Sequence, residues 1–275
     1  MYEGKRNEPV CAESCHIEST SKVNAPLVSW NFSSTSEHLI EQLMMKNKQK
    51  TALKHVLERY ATDPDVIGVY LFGSVARGTA TGKSDIDVCI VKKEHNEVMD
   101  KIEKIEVKGI KISIIFRPMT NLDLIINQGI EWAIEQLREC KILYDPSSVI
   151  RYHVDRAHAF KIPAQVVMQS VRLSTEALES ADDLFQQGDE TGARTCINYA
   201  LWKAARAFLG AKQILYRGPK YLSQQLNEAD KEIYGMYIRC LKMEKLMNIP
   251  ESILGITEIN EKATKLLQSC SDHLE

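Results

Sequence analysis

Apolar residues recur at helical spacing once the chain passes Ser36. Leu39, Ile40, Leu43 and Met44 share a face, and Leu53, Val56, Leu57 and Tyr60 repeat that spacing after a polar break. Pro64 closes this region, and Val66 to Phe72 (VIGVYLF) reads as a buried strand. A small-residue loop, GSVARGTATGKS, leads to a second strand, Asp85 to Val91. The pattern then predicts a charged helix around Glu94 to Glu106, a third strand over Ile110 to Phe116 and helical periodicity from Asn121 to Glu139. A short KILY run precedes the turn signal Asp145-Pro146.

Beyond residue 150 no strand pattern is found. Gln165 to Gln187 is amphipathic and stops at Gly188. Thr191 to Tyr216 predicts a second helix, with Cys196, Ala200, Ala204, Phe208 and Ile214 among its apolar positions. Arg217-Gly218-Pro219 breaks it, and shorter helices are expected to fill the rest. Strands mixed with helices, then helices alone, predict an α/β domain joined to an all-α helical domain. The expected division is a disordered tail over 1–36, an α/β domain over 37–147 and a helical domain over 148–275. The tail is polar, Ser-rich and aperiodic, so it lacks the apolar surface to offset its ordering entropy. Its Cys11, Cys15 and His16 have no second ligand pair nearby, which argues against a zinc site.

Charge narrows the functional classes. Thirty-five Lys+Arg against 37 Asp+Glu give a formal net charge of -2, which speaks against bulk electrostatic binding to nucleic acid. No apolar run reaches membrane-spanning length and no hydrophobic signal core opens the chain, so no membrane partner is expected. Seven scattered cysteines lack the spacing of a disulfide framework. The expected setting is a reduced cytoplasm.

The stretch carrying chemistry is Leu71 to Val91, LFGSVARGTATGKSDIDVCIV. Gly78, Gly82, Lys83 and Ser84 nearly spell a phosphate-binding P-loop, but three residues separate the glycines where four are needed, and a strand follows where a helix should open. The other reading joins Gly73-Ser74, at the end of one strand, to Asp85-Ile86-Asp87 at the start of the next. Alternation along a strand turns Asp85 and Asp87 to the same side. Two neighbouring carboxylates repel unless a cation lies between them, and a hard oxygen pair suits Mg²⁺ completed by waters and substrate phosphates. Gly73 permits close backbone approach, Ser74 offers an N–H and a hydroxyl, and Arg77 adds a fixed cation for a triphosphate.

Gly73-Ser74, a ten-residue spacer and Asp85-x-Asp87 resemble the signature of the DNA polymerase beta nucleotidyltransferase superfamily, nearest to its minimal branch of antitoxin-type and aminoglycoside-nucleotidyltransferase-like proteins. The resemblance covers about residues 53 to 145. It implies a mixed sheet flanked by helices. It also implies Mg²⁺-dependent transfer of a nucleoside monophosphate from an NTP, ATP being the expected one, to a hydroxyl of a small molecule or protein. In that reading Asp85 and Asp87 hold metal and act in catalysis, Gly73, Ser74 and Arg77 surround the triphosphate, and the acceptor lies in the cleft between the two domains.

The chain departs from the family at one position. The family places a third carboxylate on the next long strand, and here Ser113 stands in Lys111-Ile112-Ser113-Ile114-Ile115. A neutral serine is a poor base and a weak Mg²⁺ ligand. Either the register of this strand differs, or another acid substitutes, or the chain is a catalytically weakened nucleotide-binding regulatory module of the same fold. Glu106 and Asp123 are the nearest acids in sequence. His153 and His158 read as a solvated helix face. Lys203 is a further candidate, since a helical-domain lysine reaches the triphosphate in some relatives. No histidine follows Arg194 at the spacing of RNA-cutting helical domains.

Overall fold

The computed structural model describes residues 38, 40–43, 45–60, 63–81, 84–93, 100–245 and 248–271, without the side chains of 243–245 and 270–271. The tail with Cys11, Cys15 and His16 lies outside the described residues, as do Gly82, Lys83 and positions 94–99.

Helix α1 (Asn47–Tyr60) leads into β1 (Val66–Phe72), a single helical turn α2 (Gly73–Ala76) and β2 (Ile86–Lys92). A hairpin of β3 (Lys101–Val107) and β4 (Ile110–Pro118) follows, then α3 (Met119–Asn127), α4 (Glu131–Glu139) and β5 (Lys141–Tyr144). The five strands form one mixed sheet in the order β3-β4-β2-β1-β5. β2 and β4 run parallel, while β1–β2, β1–β5 and β3–β4 are antiparallel.

Where a charged helix was expected up to Glu106, Lys101–Val107 is strand β3. Lys108 and Gly109 both take positive φ, 53° and 77°, which gives the two-residue turn that right-twisted hairpins favour. Ile105 and Val107 alternate toward one apolar face, whereas Ile102 is exposed. The periodicity over Asn121 to Glu139 resolves into two helices, because Gly129 takes a φ of +63° between them.

One face of the sheet is covered by α1, whose Ala52, Leu53, Val56 and Leu57 pack against Val69, Leu71, Val88, Ile90, Ile112 and Ile114. The other face meets α3, α4 and α5 (Val149–Ala159) through Tyr70, Cys89, Val91 and Ile115. From there the same apolar core runs on into the long antiparallel helices α6 (Ala164–Gln186) and α7 (Glu190–Ala211). α7 ends at Ala211 rather than Tyr216, and residues 212–218 loop back to a short 3₁₀ turn, Pro219–Tyr221. Helices α8 (Leu222–Ala229), α9 (Lys231–Lys245) and α10 (Ile249–Ser271) complete the chain. The last spans 23 residues, longer than the short helices the sequence suggested.

Candidate active site

Site geometry follows from the sheet register. Asp87 pairs with Phe72 of β1 on one side and with Ser113 of parallel β4 on the other. Ser113 in turn pairs with Lys104 of β3, and Glu106 pairs with Lys111. Residues in register across a sheet share a face. A single row therefore runs Phe72, Asp87, Ser113, Lys104, on the face that α4 and the helical part cover farther along.

The chain turns tightly immediately after Phe72. Gly73 has a φ of +73°, and a methyl group there would collide with the Asp87 carboxylate. That turn and that carboxylate are built against each other, which only a residue without Cβ permits. Burial, followed by the neighbouring negative charge of Asp85, pushes the Asp87 carboxyl up to about 6. Arg77, Lys220 and Glu139 also act on it electrostatically. Asp85 immediately precedes β2, close enough for its charge to register at Asp87.

A cavity of about 390 Å³ opens beside Asp87, lined by Gly73, Arg77, Trp132, Glu139, Arg217 and Tyr221 among others. Arg77 does not stand free in it. Its guanidinium donates to Glu139 and to the Tyr221 hydroxyl (3.2 Å), and lies over the Tyr221 ring at 5.4 Å. Burial lifts the Glu139 carboxyl above its usual range, and its second oxygen is buried with no hydrogen-bond partner. Arg217 donates to Glu135 through Nε (2.9 Å) and Nη2 (2.6 Å), and Arg206 donates to Glu131. Glu131, Glu135 and Glu139 stand at four-residue spacing along one face of α4. Each holds an arginine from a different part of the chain.

Gly73, Arg77 and Asp87 thus converge on one cavity, while Asp85 and Ser113 line a second one. Lys203 lies away from both; its ammonium sits over Trp202 (4.8 Å) and Tyr199 (5.3 Å). The helical-part lysine that acts on Asp87 is Lys220, in a loop that reads in sequence only as a helix breaker. His153 is buried rather than solvated, bonded to the Val149 carbonyl (2.7 Å) and 3.3 Å from Asp123. Asp123 is committed to Arg156, which holds its carboxyl below the usual range. Glu106, read as helical in the sequence, is on β3 and faces the same side as Ser113.

The residues fit a divalent cation. Asp87 is an oxygen donor whose charge is penalised by burial and by the neighbouring Asp85 carboxylate, the situation a cation relieves. No cluster of three or more His, Cys, Asp or Glu suited to a metal occurs among the described residues.

Residues 50–144 match the nucleotidyltransferase domain family, which supports that superfamily for this part of the chain. The whole structure is similar to the crystal structure of a nucleotidyltransferase-like protein from Exiguobacterium sibiricum 255-15. The TM-score is 0.52 at 15% identity, over 80% of this chain and 77% of that one, a likeness of fold. No curated protein matches the chain. Among the described residues no helix is long and apolar enough to cross a membrane.

Proposed function

We propose that the chain transfers a nucleoside monophosphate from an NTP, ATP being the expected donor, to a hydroxyl, in the cytoplasm. The observation that carries this reading is the close packing of Gly73 on Asp87, which sets a tight glycine turn directly beside a carboxylate. Asp85 and Asp87 would hold Mg²⁺, which when bound neutralises charge on the transferring phosphoryl group. Gly73 and Ser74 offer backbone and hydroxyl donors to the triphosphate, and Arg77, Arg217 and Lys220 supply positive charge around it. Trp132, Tyr216 and Tyr221 give the same cavity aromatic walls suited to a nucleobase. On this reading the cleft between residues 37–147 and 148–275 takes the nucleotide.

Ser113 favours a second reading, a nucleotide-binding module without turnover. Both readings predict binding, so the deciding experiment is pyrophosphate release from ATP across a panel of hydroxyl acceptors. Release with any acceptor supports the transferase. Nucleotide binding without release from any of them supports the module.

A further inference from the structure

The nucleotide cleft lies on the β1 side of Asp87. On the opposite side is a second cavity of about 310 Å³, lined by Asp85, Ser113, Lys104, Glu106 and Lys111. The sheet order places them so: Gly73 follows β1, Asp87 stands on β2, and Ser113 and Glu106 lie beyond it on β4 and β3. In-line displacement at phosphorus needs the attacking oxygen opposite the leaving oxygen. With the triphosphate tail against Gly73 and Arg77, a hydroxyl attacking in line must cross β4 and β3.

The side chains on that approach have a definite character. Ser113 is neutral, and the exposed Lys104, Glu106 and Lys111 form no ion pair with any described residue. Lys104 stands opposite Ser113, and Glu106 opposite Lys111, so two ammonium groups and the Glu106 carboxylate share the face that carries Asp87, with the Asp85 carboxylate at the β2 edge of the cavity. Two unpaired cations make a site for an anion, and a carboxylate beside them can take a proton.

We propose that this cavity is the acceptor site, that it takes a hydroxyl compound bearing a phosphate or carboxylate held by Lys104 and Lys111, and that Glu106 receives the hydroxyl proton. The proposal rests on the transferase reading. The acceptor O–H bond breaks, with its proton going to a Glu106 oxygen. Its electron pair forms the new bond to the α-phosphorus. The bond from that phosphorus to the bridging oxygen breaks, and its electrons leave with pyrophosphate. Glu106 thereby does on β3 what a neutral Ser113 cannot do on β4.

The test uses the full chain with Mg²⁺ and α,β-methylene ATP, which cannot release pyrophosphate. Glycerol 3-phosphate, glycerate and glycerol are then added at equal concentration and thermal melting is followed. Both anions should raise the melting temperature beyond the nucleotide's own shift, and glycerol should not. The Lys104→Gln/Lys111→Gln variant should lose that increment and keep the nucleotide shift. Glu106→Gln should bind the anions more tightly, yet release pyrophosphate from ATP with glycerate about 100-fold more slowly or worse. Tighter binding with lost turnover is a signature that a merely structural residue does not give. Equal effects of glycerol and the anions, an unchanged increment in the lysine variant, full turnover in Glu106→Gln, or no release by the wild type with either anion would each overturn the proposal. If the nucleotide itself gives no shift, the transferase reading falls and takes the proposal with it. A normal nucleotide shift without an anion increment defeats the proposal alone.

Discussion

Asp87 on β2 and Ser113 on β4 stand side by side in a parallel register, their side chains on one face of the sheet. A carboxylate at position 113 would therefore lie beside the existing one. Ser113→Asp should strengthen Mg²⁺ binding by about tenfold, since a hard cation gains a third charged oxygen. Titration of the full chain with Mg²⁺ would check it, and unchanged affinity would place residue 113 outside the metal's reach.

Asp87 sets a pH dependence whose sign can be worked out. Its folded-state carboxyl titrates at about 6, above the ordinary 3.8, so between those values the folded protein binds more protons than the unfolded one. Stability contributed by the protonated group is full below about 3.8 and is lost as pH rises through 6. At pH 8 the ionised Asp87 then costs about 1 kcal/mol, after discounting for its partial exposure. Asp87→Asn should raise the melting temperature of the metal-free protein at pH 8 and abolish the added shift from Mg²⁺ with nucleotide. A variant that melts lower and keeps the ligand shift would contradict both halves.

Proton competition at the same residue should govern metal binding. Below about pH 6, Mg²⁺ must displace a proton from Asp87, so its affinity should fall by up to tenfold per pH unit. Calorimetry in buffers of different ionisation enthalpy would count the proton released. Release of none at pH 5.5 would count against Asp87 as a ligand.

Glu139→Gln should tighten triphosphate binding. The wild-type carboxylate occupies Arg77, and removing its charge leaves the guanidinium free for phosphate. The expected gain is about fivefold, equivalent to about 1 kcal/mol. Inorganic tripolyphosphate is a suitable probe, and weaker binding by the variant would show that Glu139 does not compete with the anion.

Arg117 tests the fold rather than the site. It is completely buried on β4, donating to Asp100 through Nε and Nη2 and to the Tyr70 hydroxyl at 2.7 Å. Arg117→Met should destabilise the protein by about 3–5 kcal/mol, because it strands the carboxylate and the hydroxyl. Chemical denaturation would measure it; a loss under 1 kcal/mol would mean that water replaces the guanidinium.

Legibility in the sequence followed how local each feature is. β1, β2 and the Gly73-Ser74 turn stood out because short continuous apolar runs and a glycine in a tight turn are local signals. β3 was missed because it is an edge strand: Ile102 and Ile105 sit three apart, a helical spacing, and Ile102 faces solvent. With the strand misread, Glu106 could not be placed on the sheet face that carries Ser113. The cleft walls are harder still. Arg217 meets Glu135 across 82 positions, and Arg77 meets Tyr221 across 144. The only local trace of that convergence is the four-residue spacing of Glu131, Glu135 and Glu139.

The apolar core that runs unbroken from the sheet into α6 and α7 bears on how the protein can be cut. A fragment ending at residue 147 would bare the inner faces of α3 and α4, and would strip Glu131 and Glu135 of Arg206 and Arg217. Such a piece has the outline of a nucleotidyltransferase domain without the means to stand alone. Any shortened or spliced version of this chain would have to bring its own cover for that face, and unfolding should begin for both halves at the same temperature.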